Sequence, residues 1–256
     1  MAATDYRPGR ITPLSHLRTA AFYIHIALAT LVLGTWGLIF KVPKGRDGAN
    51  QVATIWCGHL LAAARLWLGL RYEVRGSLPP GDLLIGAKHQ SFFDILILAH
   101  LAPQRAFIMK KQILNVPIMG WFAYKVGCIP IDRSRGSEAM KVMVDGVRAA
   151  MARGLGQLIV YPEGTRTAPG TKRRYKAGIG VLAENTGLPV VPVATNVGLF
   201  WNKRGWPIRP GTGVIQILSP MPAGLNATDL VEQLEARVEA ASDALMAEAG
   251  FTPPAA

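Results

Sequence analysis

Residues 83–94 read L-L-I-G-A-K-H-Q-S-F-F-D. Leu83 to Ala87 is a five-residue apolar run, the length of a strand buried on both faces and too short for a helix. Lys88 to Ser91 interrupt it with polar side chains, and Phe92, Phe93, Ile95, Leu96 and Leu98 then start a run of helical length. Strand, short loop and helix make a βα unit, which predicts an α/β fold. His89 and Asp94 stand at the join. On a regular helix a separation of five rotates two side chains by about 140°, so they would share no face. They meet only if His89 lies in the loop and Asp94 in the first helical turn, with Ser91 as N-cap. There the carboxylate accepts one ring N–H, fixes the tautomer and leaves the other nitrogen as a base, the roles of Asp and His in a serine-protease triad. Taken alone the spacing is common, and its ordinary reading is a histidine in a surface turn.

The pattern continues downstream. Further strands are expected at 106–109, 127–131, 157–161, 190–194 and 214–218, with helices at 92–101, 112–125, 137–153, 177–186 and 228–249. This alternation predicts a mixed, largely parallel sheet flanked by helices, with the chemistry in loops at the carboxyl ends of strands. Those ends carry Lys110-Lys111, Asp132-Arg133 and the stretch Y-P-E-G-T-R at 161–166, besides His89 and Asp94. In that stretch glycine permits close backbone approach, amides and Thr165 can donate to anionic oxygens, and Arg166 can clamp phosphate with two bonds. Residues 172–176, K-R-R-Y-K, add a cationic run that reads equally well as a solvated loop. Four strand ends with polar chemistry, above apolar strand interiors, are far more specific than any one of them.

The 256 residues are half hydrophobic and 17% charged, which excludes disorder and suits one domain with an appendage. Lys and Arg number 28 against 16 Asp and Glu, a surplus of 12 positive charges that favours anionic partners. Cys57 and Cys128 have neither metal-site nor disulfide spacing, and read as small buried hydrophobes. His16, His25, His59 and His100 do not cluster as metal ligands, so neither metal nor cofactor is expected. Residues 20–40 contain no charge and as a helix would be about 30 Å long. A second apolar segment, 51–70, carries His59 and Arg65. We therefore divide the chain into a membrane-associated two-helix motif at 1–70 and an α/β domain at 71–256. Arg65 is costly at mid-bilayer and cheap at an interface, so the pair either spans or lies in one leaflet. Trp36, Trp56 and Trp67 suit an interfacial belt. The flanking Lys and Arg set no orientation, and the soluble reading is two buried core helices.

K-H-Q-S-F-F-D resembles the H-x4-D motif of the glycerolipid acyltransferases, of the 1-acyl-glycerol-3-phosphate acyltransferase type. G-C-I-P-I-D-R (127–133), Y-P-E-G-T-R (161–166) and L-P-V-V-P-V (188–193) resemble its other three motifs, in order. Lys88 stands where the family often has asparagine and Tyr161 where phenylalanine is usual. The resemblance implies that His89 takes a proton from an acceptor hydroxyl, which attacks an acyl thioester of coenzyme A or acyl-carrier protein. It implies that Asp94 orients His89, and that Glu163, Gly164, Thr165 and Arg166, with Arg133, hold the acceptor's phosphate; Lys110 joins this group as a strand-end cation. The acceptor would be lysophosphatidic acid, acylated at its sn-2 hydroxyl to give phosphatidic acid without an acyl-enzyme. The setting would be the inner membrane, with the catalytic domain on the cytoplasmic side and the lipid bilayer as partner. No G-x-S-x-G, H-E-x-x-H or P-loop pattern offers rival chemistry. Two other readings stand beside this one: the same fold acting on another lyso-lipid, and a non-catalytic basic protein binding membrane or nucleic acid. Cations gathered at strand ends beside a His/Asp pair, and not along an exposed face, argue against a nucleic-acid partner.

Overall fold

The computed structural model describes residues 6–132 and 136–252. Among these, seven strands form one sheet: β1 (Leu70–Arg75), β2 (Leu83–Ala87), β3 (Arg105–Lys110), β4 (Ile129–Ile131), β5 (Gln157–Val160), β6 (Val190–Thr195) and β7 (Gly211–Ile217). Their order is β1-β7-β6-β2-β5-β3-β4. Every neighbouring pair is parallel except β6 and β7, so the sheet is mixed and largely parallel, as expected. β2 lies at its centre, with Ile85 paired to Ile159 of β5 and Val191 of β6. Both faces are covered. Leu83, Ile85, Ala87, Ile159, Val191 and Val193 point into one apolar cluster, and Leu84, Leu158, Val160 and Val190 into another. The period-two alternation of buried residues is the direct result of a strand packed on both sides.

The helices are α1 (Pro13–Phe40), α2 (Gly45–Leu68), α3 (Phe93–Leu101), α4 (Met119–Val126), α5 (Gly136–Met151), α6 (Gly178–Thr186) and α7 (Ala227–Glu248). The helix expected at 112–125 is divided into a 3-10 turn, Lys111–Asn115, and α4. Pro117 explains the break, since it has no N–H to donate and biases Val116 away from helical backbone. β1 was not expected. Its sequence L-R-Y-E-V-R is polar enough to read as a connection, and it becomes a strand by pairing with β7 at the sheet edge.

α1 opens with a capping box between Thr12 and Ser15 and has Pro13 in its first turn. Gly69, at φ 65°, ends α2 in a left-handed cap that a side chain would strain, and the chain passes straight into β1. Among the described residues α1 alone is long and apolar enough to cross a membrane, and only 22% of its most apolar window is buried. α2 behaves differently. Its Cys57, Leu60, Leu61, Ala64 and Leu68 are buried, and together with Phe22 and Ala29 of α1 they join Leu96, Ile97 and Trp201 in a single cluster. Arg46, at its start, donates to the carbonyls of Val126, Gly154 and Leu155. The boundary at residue 70 thus separates two kinds of sequence but not two hydrophobic cores.

Candidate active site

The loop after β2 brings His89 and Asp94 together. His89 Nδ1 lies 2.9 Å from Asp94 Oδ1, and Asp94 is fully buried. The other carboxylate oxygen, Oδ2, accepts from the backbone N–H of Gln90 (2.9 Å) and Ser91 (2.6 Å). The carboxylate is thus fixed by three bonds and cannot rotate away from the imidazole. Ser91 is not the N-cap proper. That position falls on Phe92, while Ser91 Oγ accepts from Phe93 N–H at 3.0 Å and Asp94 reaches back over the turn. An acidic side chain in the first turn is also favoured by the helix dipole.

The backbone of His89 is held on both sides by the segment after β5. Its N–H donates to Glu163 Oε2 at 2.8 Å, and its carbonyl accepts from Thr167 N–H at 2.8 Å. Tyr161 stacks on the imidazole with ring centroids 4.0 Å apart and planes 20° apart. Burial raises the Tyr161 phenol well above its ordinary pKa of 10, followed by the charge of Asp94, so the hydroxyl stays protonated. Gly164 adopts φ 72°, a conformation that favours glycine, while a Cβ there would meet only the movable end of the Lys176 side chain.

The β2 and β5 loops meet here because β2 and β5 are direct neighbours with parallel register. A cavity of about 680 Å³ opens beside them. His89, Gly164, Thr165, Arg166, Lys110, Lys203 and Arg105 are among its lining residues. The remaining wall is largely apolar, with Trp56, Phe92, Phe107 and Phe122 among its side chains, and it runs between α2, α3, β3 and α4. The volume falls in the range of sites that enclose extended small molecules. A lining that combines cationic groups with hydrocarbon matches an amphiphile with an anionic head.

Glu163 takes a different position from the one expected. It does not line the cavity; it is fully buried, with one oxygen on His89 N–H and the other 3.0 Å from Lys88 Nζ. A carboxylate only accepts hydrogen bonds, so in this setting it holds the histidine's backbone and does not meet an anionic head. Arg133 lies outside the described residues. Lys110 is exposed at the end of β3, where the sequence placed it. Lys203, Thr167 and Glu239 were not foreseen: no motif marks Lys203 or Thr167, and Glu239 lies in α7, whose apolar stripe signals packing alone. The cationic run 172–176 is partly committed: Lys172 pairs with Asp243 at 2.9 Å, and Tyr175 is buried. Cys57 and Cys128 are free thiols on the cavity wall, and burial pushes Cys128 up to about 11. Among the described residues no group of three or more His, Cys, Asp or Glu side chains is placed to hold a metal ion.

Comparison with known proteins agrees with this geometry. Residues 71–196 match the Acyltransferase family. A 1-acyl-sn-glycerol-3-phosphate acyltransferase of Pseudomonas aeruginosa is 32% identical over 235 residues, which cover 91% of each chain. The human 1-acyl-sn-glycerol-3-phosphate acyltransferase beta is 30% identical over 83% of this chain and 79% of its own. The crystal structure of the acyltransferase PlsC from Thermotoga maritima superposes with a TM-score of 0.75 over 90% of this chain and 95% of that one; at 24% identity it speaks for the fold. Nine-tenths of the chain aligned at nearly one-third identity, on a mixed sheet whose central loop carries the H-x4-D pair, shows that it belongs to the acyltransferase family of the 1-acyl-sn-glycerol-3-phosphate acyltransferases.

Proposed function

We propose that this O-acyltransferase moves a fatty acyl group from a thioester of coenzyme A or acyl-carrier protein to the sn-2 hydroxyl of 1-acyl-glycerol-3-phosphate, giving phosphatidic acid. The observation that carries the proposal is the 2.9 Å contact between His89 Nδ1 and Asp94 beside a cavity lined by both cationic and apolar side chains. With Nδ1 given to Asp94, Nε2 is the nitrogen available to the acceptor hydroxyl. As that oxygen attacks the thioester carbonyl, Nε2 takes its proton. When the carbon–sulfur bond breaks, the imidazolium returns the proton to the leaving thiolate. Asp94 keeps the ring in the right tautomer and steadies its transient positive charge.

Arg166, Thr165, Gly164 and Lys110 receive the acceptor's phosphate, and the apolar wall takes acyl chain. Glu163 works through the His89 backbone. Direct transfer is favoured over an acyl-enzyme because Cys128, raised to about 11 by burial, offers little thiolate at neutral pH, and Cys57 is buried in α2. The exposed apolar side chains of α1, with α2 packed into the body, support a hairpin lying in one leaflet of the inner membrane beside its lipid substrate.

The test is a matrix of labelled acyl donors and lyso-lipid acceptors on purified protein, with His89→Ala as blank. Lysophosphatidic acid should be the preferred acceptor, and His89→Ala should lose about 10²–10⁴-fold in kcat while remaining folded. Wild-type turnover by a folded His89→Ala variant would end the assignment, and preference for an uncharged lyso-lipid would change the acceptor.

A further inference from the structure

Lys88 is the residue at which the first motif departs from the family's usual asparagine, and the fold treats it unusually. It follows β2 directly, its backbone N–H donates to Val193 at 2.9 Å, and only 2% of it is exposed. Its ammonium does not face the cavity. It lies 2.6 and 2.9 Å from the two carboxylate oxygens of Glu239, in α7, and 3.0 Å from Glu163 Oε1. Glu163 in turn holds the His89 N–H. One cation thus serves two buried carboxylates, one of which is bonded to the backbone of the proposed base. The groups around them are Tyr175, which is buried, and Glu235, which accepts from Tyr175 N–H at 2.8 Å. Burial pushes the Glu239 carboxyl up, Lys88 draws it back, and Glu163 adds a further upward push.

We infer that Lys88 is a positioning residue of the acyl transfer: by pairing with Glu239 and Glu163 together it keeps Glu163 seated on the His89 N–H, and so ties α7 to the catalytic loop. The inference rests on His89 being the base. Its physical basis is that two neighbouring buried carboxylates cannot both stay charged without a cation between them. Remove the ammonium, and the pair either takes up a proton or separates. In both cases the bond to His89 N–H weakens, and the imidazole drifts relative to the cavity while its contact with Asp94 survives. Arg166 and Lys110 are untouched, so acceptor binding is spared.

The test compares Lys88→Met, Glu239→Gln and the double variant in steady-state acyl transfer and thermal melting. Lys88→Met should lose about tenfold or more in kcat, as small misplacements of catalytic groups do, with KM for the acceptor within about twofold of wild type. The double variant removes the cation and one of the two competing charges. It should recover most of the lost kcat although its Tm stays below that of wild type. A role in packing alone predicts the opposite, with the double variant at or below Lys88→Met in both measures. If Lys88→Met does not fold, Lys88→Gln, alone and with Glu239→Gln, replaces it under the same criteria. Wild-type kcat in the Lys88 variant, or no recovery in the double variant, overturns the inference while His89→Ala stays inactive. If His89→Ala is active, the underlying reading fails instead.

Discussion

Arg166 reaches the cavity from the turn after β5, beside Thr165 and the glycine that lets the backbone approach. A guanidinium clamping a phosphate remote from the reacting carbonyl binds ground state and transition state alike. Arg166→Ala should therefore raise KM for lysophosphatidic acid by about 10- to 100-fold, the value of a charge-assisted bond, with little change in kcat. Initial rates over a range of acceptor concentrations decide it, and a fall in kcat alone would assign Arg166 to the chemistry. At this scale the sequence was informative wherever partners are close along the chain. His89 and Asp94 could be paired because strand, loop and helix signals bracket them. Glu239 could not, since it contacts Lys88 across 151 residues. Nor could the seat of Glu163: its neighbours in sequence suggest an anion site, while its position below the loop depends on how β2 and β5 lie side by side.

The elements that sequence patterns located best are those with a strong period. β2, β5 and β6 are continuous apolar runs, and α7 carries its stripe of Leu230, Leu234, Val238 and Leu245 in buried positions. β1 was missed because an edge strand need not be apolar, and the helix at 112–125 was overextended across Pro117. Trp56 was expected at an interface with Trp36 and Trp67; it instead turns inward, donates to Thr30 Oγ1 at 3.0 Å and lines the cavity. The edge strand is fastened by charge. Arg75 holds Glu248 of α7 through two 2.7 Å bonds and Glu73 through a third of 2.7 Å. Its hydrogen bonds hold both carboxyls below their ordinary pKa, with Tyr6 adding to the effect on Glu73. Carboxyls depressed in the fold stabilise it above their unfolded pKa near 4.3, and lose that contribution as pH falls through the lower folded value. All three groups are about one-third exposed, so Arg75→Ala should cost only about 0.5–1 kcal/mol at pH 7. The Tm difference from wild type should shrink as pH falls below about 4.3 and through the depressed folded values; an undiminished difference would point to packing of the arginine stem.

Over the described residues, many exposed apolar side chains gather in α1, and the polar groups lining the cavity include Lys110, Thr165 and Arg166 at strand ends. Ile24, Leu28, Leu31, Val32 and Ile39 of α1 are each more than half exposed. A contiguous apolar surface of this kind is what the proposed seat of α1 in a lipid leaflet requires. Leu28→Glu with Leu31→Glu should move the protein from the membrane to the soluble fraction without loss of helical circular dichroism. Retention in the membrane would assign anchoring to other side chains. The sequence separates this apolar stretch from the α/β body by composition. Packing depends on three-dimensional contacts, and there the two helices differ: α1 turns most of its apolar surface outward, whereas α2 buries Leu60, Leu61 and Ala64 against Leu96 and Ile97. A consequence follows for anyone wishing to trim the protein to a water-soluble fragment. Cutting before β1 would strip one wall from the cavity and lay bare a face of the sheet's helical cover, so the apolar appendage is also masonry of the body it adjoins.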